Sequence, residues 1–159
     1  MTEKDDQYWM QQALLLAQQA ADINEIPVGA VVVKDSEIVG SGFNQPISLC
    51  DPTAHAEIQA LRSAANHIGN YRLNGATLYV TLEPCGMCAG AIVHSRIARL
   101  VYGATEPKAG VIVSQSQQLD KVYLNHKVAY EGGVCADDCS AIISEFFARR
   151  RAEKSKNKN

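Results

Sequence analysis

Ala76-Thr77-Leu78-Tyr79-Val80-Thr81-Leu82-Glu83-Pro84-Cys85-Gly86-Met87-Cys88 runs from a strand directly into a helix. The first seven residues are mostly β-branched, aromatic or apolar, as strands prefer. Pro84 has no amide hydrogen to lose and suits the opening of a helix, expected over residues 85–95. Residues 98–102 (Ala-Arg-Leu-Val-Tyr) then supply another strand. Strand, helix and strand in that order imply parallel pairing with a right-handed crossover.

Upstream, Trp9, Ala13, Leu16, Ala17 and Ala20 share one face of a helix over residues 8–22, with Asp5 or Asp6 as its cap. Pro27 and Gly29 break that pattern. Residues 28–34 and 37–43 are rich in Val and Ile and are joined by Asp35-Ser36, which reads as a hairpin. Asp51-Pro52-Thr53 has the chemistry of a helix start, and a helix is expected from 54 to 67, with Ala54, Ile58, Leu61 and Ala65 on one face.

Downstream, residues 116–124 are expected to form a crossover helix and 127–131 a short strand. The last helix, 136–151, carries Asp137 and Asp138 early and arginines late, as the helix dipole favours. The predicted fold is α/β, a three-layer α/β/α arrangement around a mixed five-stranded sheet. Residues 1–151 are expected to form a single domain, followed by a basic, disordered tail over 152–159.

The balance of 47% hydrophobic and 20% charged residues over 159 positions suits a soluble globular domain. Residues 1–7 are polar and acidic, which gives no secretory signal, and no apolar run approaches the ~18 residues of a membrane span. The expected location is the cytoplasm. Five cysteines are an odd number, and a disulfide framework is not expected.

Net charge is -2, which excludes a generally basic nucleic-acid binder. The charge is segregated, however. Residues 149–159 carry +5, through Arg149, Arg150, Arg151, Lys154, Lys156 and Lys158 against Glu153, and the preceding 148 residues carry -7. Such a segment either offsets the negative end of a helix dipole or meets phosphates.

Two helix starts carry the chemistry: Thr53-Ala54-His55-Ala56-Glu57, and Pro84-Cys85-Gly86-Met87-Cys88. Cysteines three apart lie on one helical face, so Cys85 and Cys88 can grip one ion. A helix N-terminus favours the thiolate that a metal needs. Two thiolates and a neutral imidazole from His55 suit Zn²⁺, one per chain. Three protein ligands leave a fourth position open, the arrangement of a catalytic zinc. Glu57 lies two residues from His55 and can serve as the proton carrier only where a helix begins inside a cleft. The alternative is a structural zinc, for which Cys50, Cys135, Cys139 or His94 are nominal fourth ligands. Cys135 and Cys139 are spaced to bind metal as a pair, although buried cysteines are more often inert.

H-A-E followed by P-C-x-x-C, each opening a helix, is the known signature of zinc-dependent nucleobase deaminases. The chain closely resembles bacterial tRNA-specific adenosine deaminases over nearly its whole length. The likeness runs through Glu25–Ala30, Gly42-Phe43-Asn44, Asp51–Ile58, Leu78–Cys85, His94–Ile97 and Phe146-Phe147 with the arginines that follow. The resemblance implies hydrolytic conversion of adenosine to inosine at the wobble position of a tRNA anticodon. It implies that Asn44 contacts the target nucleoside, that Phe147, Arg149 and Arg150 lie near the anticodon arm, and that the protein is a homodimer. Residues 108–114 (Lys-Ala-Gly-Val-Ile-Val-Ser) depart from the family's glycine-rich stretch ending in Gly-Ser and are more β-branched. A guanine or cytosine deaminase acting on a free base would carry the same metal motif. A non-catalytic structural-zinc module is the remaining alternative.

Overall fold

The computed structural model describes residues 4–157. Its elements follow the order α1 (Asp6–Asp22), β1 (Gly29–Lys34), β2 (Glu37–Phe43), α2 (Ala56–Ile68), β3 (Thr77–Leu82), α3 (Gly86–Ser95), β4 (Arg99–Ala104), β5 (Ala129–Glu131) and α4 (Ala136–Lys156). The five strands lie in the order β2-β1-β3-β4-β5. β1 pairs antiparallel with both β2 and β3, and β3, β4 and β5 run parallel. The mixed five-stranded sheet read from the sequence is the one observed.

Alternation along the central strands divides the core into two layers. Ala30, Val32, Leu78, Val80, Leu100 and Tyr102 face one way and pack on Ala56, Ala60 and Ala64 of α2 and Ala89 and Ile92 of α3. Val31, Val33, Tyr79 and Val101 face the other way and meet Trp9, Met10 and Ala13 of α1 and Cys139 of α4. The helix α2 sits unusually close to β2. A Cβ on Gly40 would lie 2.4 Å from the Ala64 nitrogen, and one on Gly42 2.4 Å from the Gln59 Cβ. Backbone therefore touches helix directly, and no other residue type fits that seam.

An ion-pair cluster ties the α1 side of the sheet together. The Arg99 guanidinium donates to both Asp6 oxygens, at 2.8 and 2.7 Å, and to Glu131 at 2.6 Å, while the Tyr79 hydroxyl donates to Asp6 at 2.7 Å. Arg99 holds the Asp6 carboxyl below the usual carboxylate range.

Three local expectations are corrected. Residues 116–124 do not form a crossover helix; a single 3-10 turn, Gln118–Asp120, stands there. The Asp51-Pro52-Thr53 signal marks a turn instead of the start of α2. The Asp51 Oδ1 accepts both the backbone N–H and the hydroxyl of Thr53, and α2 begins only after His55. Finally, α4 does not stop at residue 151 before a disordered tail. It continues to Lys156 with Asn157 as its C-cap, since Ala152, Glu153 and Lys154 are good helix formers. Residues 158–159 lie outside the described chain.

Candidate active site

His55 and Cys85 are the N-cap residues of α2 and α3, and both have extended backbone. An N-cap side chain ordinarily accepts a hydrogen bond from the helix's first free amides. Neither does so here. Both side chains turn into the space between the two helix starts and meet there, together with Cys88 one turn into α3.

The His55 Nδ1 lies 3.6 Å from the Cys85 Sγ and 3.5 Å from the Cys88 Sγ. All three donor atoms fall within 4.8 Å of one another. Among the described residues this is the only such group, and no fourth His, Cys, Asp or Glu joins it. Metal–nitrogen and metal–sulfur bonds of about 2.0–2.1 and 2.3 Å at the tetrahedral angle separate N from S by about 3.6 Å. The donor set thus fits zinc in both chemistry and spacing, with one coordination position left for a non-protein ligand.

The thiols are poised for this. Hydrogen bonding from Cys88 holds Cys85 down to about 5, and the Cys88 thiol is pushed up by giving that bond and by burial. Cys50, Cys135 and Cys139 stay apart from the group as thiols, exposed, half-buried and buried respectively.

Glu57, in the first turn of α2, is 4% exposed, and burial pushes its carboxyl up to about 6. A carboxyl titrating near neutrality can both take and give a proton at working pH. It lines a cavity of about 280 Å³ together with His55, Cys85, Asn44, Glu106 and Phe147. That volume falls just short of the usual range of ligand pockets, roughly 300–1,000 Å³. Asn44 follows β2 and is fixed by its backbone N–H, which donates to the Val28 carbonyl at 3.0 Å.

A second cavity of about 450 Å³ opens beside the first, and Ile26, Asn44 and Phe147 line both. Its rim carries Arg150, Arg151 and Lys154 of α4, and Ile47 adds to its floor. Arg150 lines the second cavity and Phe147 lines both. Arg149 does not line either cavity. Its guanidinium donates to the Ala21 carbonyl at 3.0 Å and to the Asn24 side chain at 3.4 Å, and stacks on Phe146 at 5.4 Å. The last turn of α1 has no basic residue of its own, so Arg149 supplies the positive charge that this helix end attracts.

Two buried acids escaped the sequence reading. Glu25, 1% exposed, accepts the backbone N–H groups of Ile47 and Ser48 and so holds the loop after Asn44. Glu83, 3% exposed, holds the segment 106–114. The available signal was an acid flanked by apolar strand and proline, as in Leu82-Glu83-Pro84, where no exposed face exists for it.

A histidine–cysteine–cysteine metal group and a buried acid, both at helix starts beneath a mixed five-stranded sheet, define the cytidine-deaminase-like class of proteins. The MafB19-like deaminase family matches residues 4–151. The tRNA-specific adenosine deaminase of Haemophilus influenzae is 54% identical over 150 residues, covering 94% of this chain and 87% of that protein. A solved structure from studies of A-to-I editing by tRNA:A34 deaminases superposes with a TM-score of 0.82 at 41% identity, covering 85% of this chain and 98% of the other. The guanine deaminase of Nitrosomonas europaea shares the fold, with a TM-score of 0.81 at 20% identity over 93% of this chain and 87% of its own. The chain belongs to the tRNA-specific adenosine deaminases, within the MafB19-like deaminase family.

Proposed function

We propose that the protein hydrolyses adenosine to inosine at the wobble position of a tRNA anticodon, with one zinc ion per chain. The observation that carries this reading is the convergence of His55, Cys85, Cys88 and Glu57 on one small pocket in a chain 54% identical to a tRNA-specific adenosine deaminase. His55, Cys85 and Cys88 would hold the zinc, which supplies a Lewis acid able to activate water near neutral pH.

Glu57 does the proton work. It takes a proton from the attacking water and delivers it to the ring nitrogen of adenine, which balances the charge as oxygen adds to C6. It then moves the proton of the newly added C6 hydroxyl to the departing amine, and ammonia leaves as the C6 carbonyl forms. Burial keeps this carboxyl free of bulk water, so the proton moves between reacting atoms.

Asn44, at the junction of the two cavities, offers one donor and one acceptor group to the target nucleoside. Phe147 gives an apolar surface for an unstacked base, and Arg150, Arg151 and Lys154 meet the phosphates that flank it. A free base carries no phosphate and would gain nothing from that rim. Residues 1–151 act as one catalytic domain in this reading, and the basic end of α4 extends its RNA surface. The family likeness favours a homodimer. Exposed Met87, Val122 and Tyr123 offer apolar surface for a second copy. No helix among the described residues is long and apolar enough to cross a membrane.

The test is to incubate the zinc-loaded protein with an anticodon stem-loop carrying adenosine at the wobble position, and separately with free guanine and cytosine. Inosine in the RNA supports the reading. Ammonia from a free base, with none formed from RNA, overturns it.

A further inference from the structure

Three successive backbone N–H groups, of Ile112, Val113 and Ser114, point at the Glu83 Oε2 at 3.0, 2.9 and 3.0 Å. The other oxygen, Oε1, accepts the Glu106 N–H at 3.0 Å and the Ser114 hydroxyl. Consecutive amides converging on one point form a nest of the kind that binds anions. Here the anion is the protein's own carboxylate, so the nest is filled from within. Five donors saturate a group that offers about four lone-pair sites. The backbone N–H of Val111 donates in addition to the Pro84 carbonyl at 3.0 Å. Gly110 is pressed so closely on the carboxylate that a Cβ there would lie 2.4 Å from the Glu83 Cδ.

The segment held in this way supplies Glu106 and Ala109 to the pocket that contains His55, Glu57 and Cys85. Glu83 stands two residues before Cys85 on the same chain turn. One short piece of backbone thus carries both a metal ligand and the anchor of the opposite pocket wall. We propose that Glu83 is a positioning residue for the deamination: its carboxylate fixes segment 106–114 at a set distance from the metal group and so holds the target base in line for attack. This rests on the deaminase reading above. Glu83 itself borders this pocket, but both its carboxylate oxygens are taken up by the segment's donors, and the cations of the second cavity's rim lie elsewhere, on α4. Losing it should therefore cost turnover and leave RNA affinity intact.

Glu83→Gln keeps the shape but turns an NH₂ group toward amides that also donate. In the zinc-loaded variant, hydrogen exchange at the amides of 106 and 112–114 should quicken by roughly tenfold or more. Amides of the central strands should be unchanged. The rate of inosine formation at saturating stem-loop should fall roughly 10–100-fold, as expected when a bound base is displaced by about an ångström. The Kd for the same RNA, and one zinc per chain, should be retained. Ser114→Ala removes a single donor, cannot unfold the sheet, and should give the same pattern at smaller amplitude; it decides the matter if Glu83→Gln does not fold. Normal turnover with a loosened segment overturns the proposal. So does a parallel loss of turnover, RNA affinity and core protection, which is the mark of a merely structural group. Absence of inosine with the unaltered protein instead overturns the deaminase reading itself, and the proposal with it.

Discussion

His55 and Cys85 occupy the same position in two different helices: each is the N-cap, and their side chains meet, with the His55 Nδ1 3.6 Å from the Cys85 Sγ. The start of α2 forgoes the side-chain hydrogen bond that an N-cap normally accepts, at about 0.5–2 kcal/mol. A metal held by His55, Cys85 and Cys88 would offset that loss.

The first prediction follows directly. Cys88→Ser should take the zinc content from one equivalent per chain to well below it and lower the unfolding midpoint, because metal binding is folding free energy at such a site. Elemental analysis with a thermal melt checks both. A chelator added to the unaltered protein should lower its midpoint in the same direction.

Glu57→Ala should keep the zinc and the fold, since no metal bond is lost and removing a buried carboxyl relieves a desolvated group. Inosine formation should fall by at least the 10²–10⁴-fold typical of a missing proton carrier, and by more if Glu57 serves both proton transfers. Single-turnover kinetics on the zinc-loaded variant measure this.

The cations of α4 separate into two kinds. Replacing Arg150, Arg151 and Lys154 with Gln should flatten the salt dependence of RNA binding, each lost phosphate contact reducing the slope of log K against log salt by roughly 0.7–0.9. Replacing Arg149 with Gln should leave much of that slope and instead lower stability by about 1 kcal/mol, the worth of its hydrogen bonds to the end of α1. Filter-binding titrations over a salt series, beside denaturant melts, distinguish the two.

Acid stability depends on Asp6. Its carboxyl is held below the usual range by Arg99, so its contribution is full above the unfolded value of about 4 and is lost as pH falls through the lowered folded value. Asp6→Asn should cost on the order of 1 kcal/mol at pH 7 and flatten the fall in stability below about pH 4. Urea melts at stepped pH provide the check.

The metal group was legible in sequence because its geometry is local. Cys85 and Cys88 are one helical turn apart, and His55 and Glu57 share a helix start, so spacing alone carried them. The mixed five-stranded sheet was legible for the same reason, from alternation and short connections. The contacts of Arg149 were not legible, because its partners, Ala21 and Asn24, lie more than 120 residues away and a run of three arginines does not show which way each points. The segment 116–124 misled because its polar residues permit a helix, while the fold holds the chain before it by Glu83 amide by amide. Asp51 misled because the same side chain that caps a helix also closes a turn on Thr53.

The seam between β2 and α2 has a consequence for heritable variation. Every first- or second-position change in a glycine codon adds a side chain or stops translation. At Gly40 and Gly42 any added carbon collides with α2, the helix that presents His55 and Glu57. Chance mutation can therefore abolish the metal centre without altering any of its ligands, and a variant screened only for intact His, Cys and Glu codons would be scored as sound when it is not.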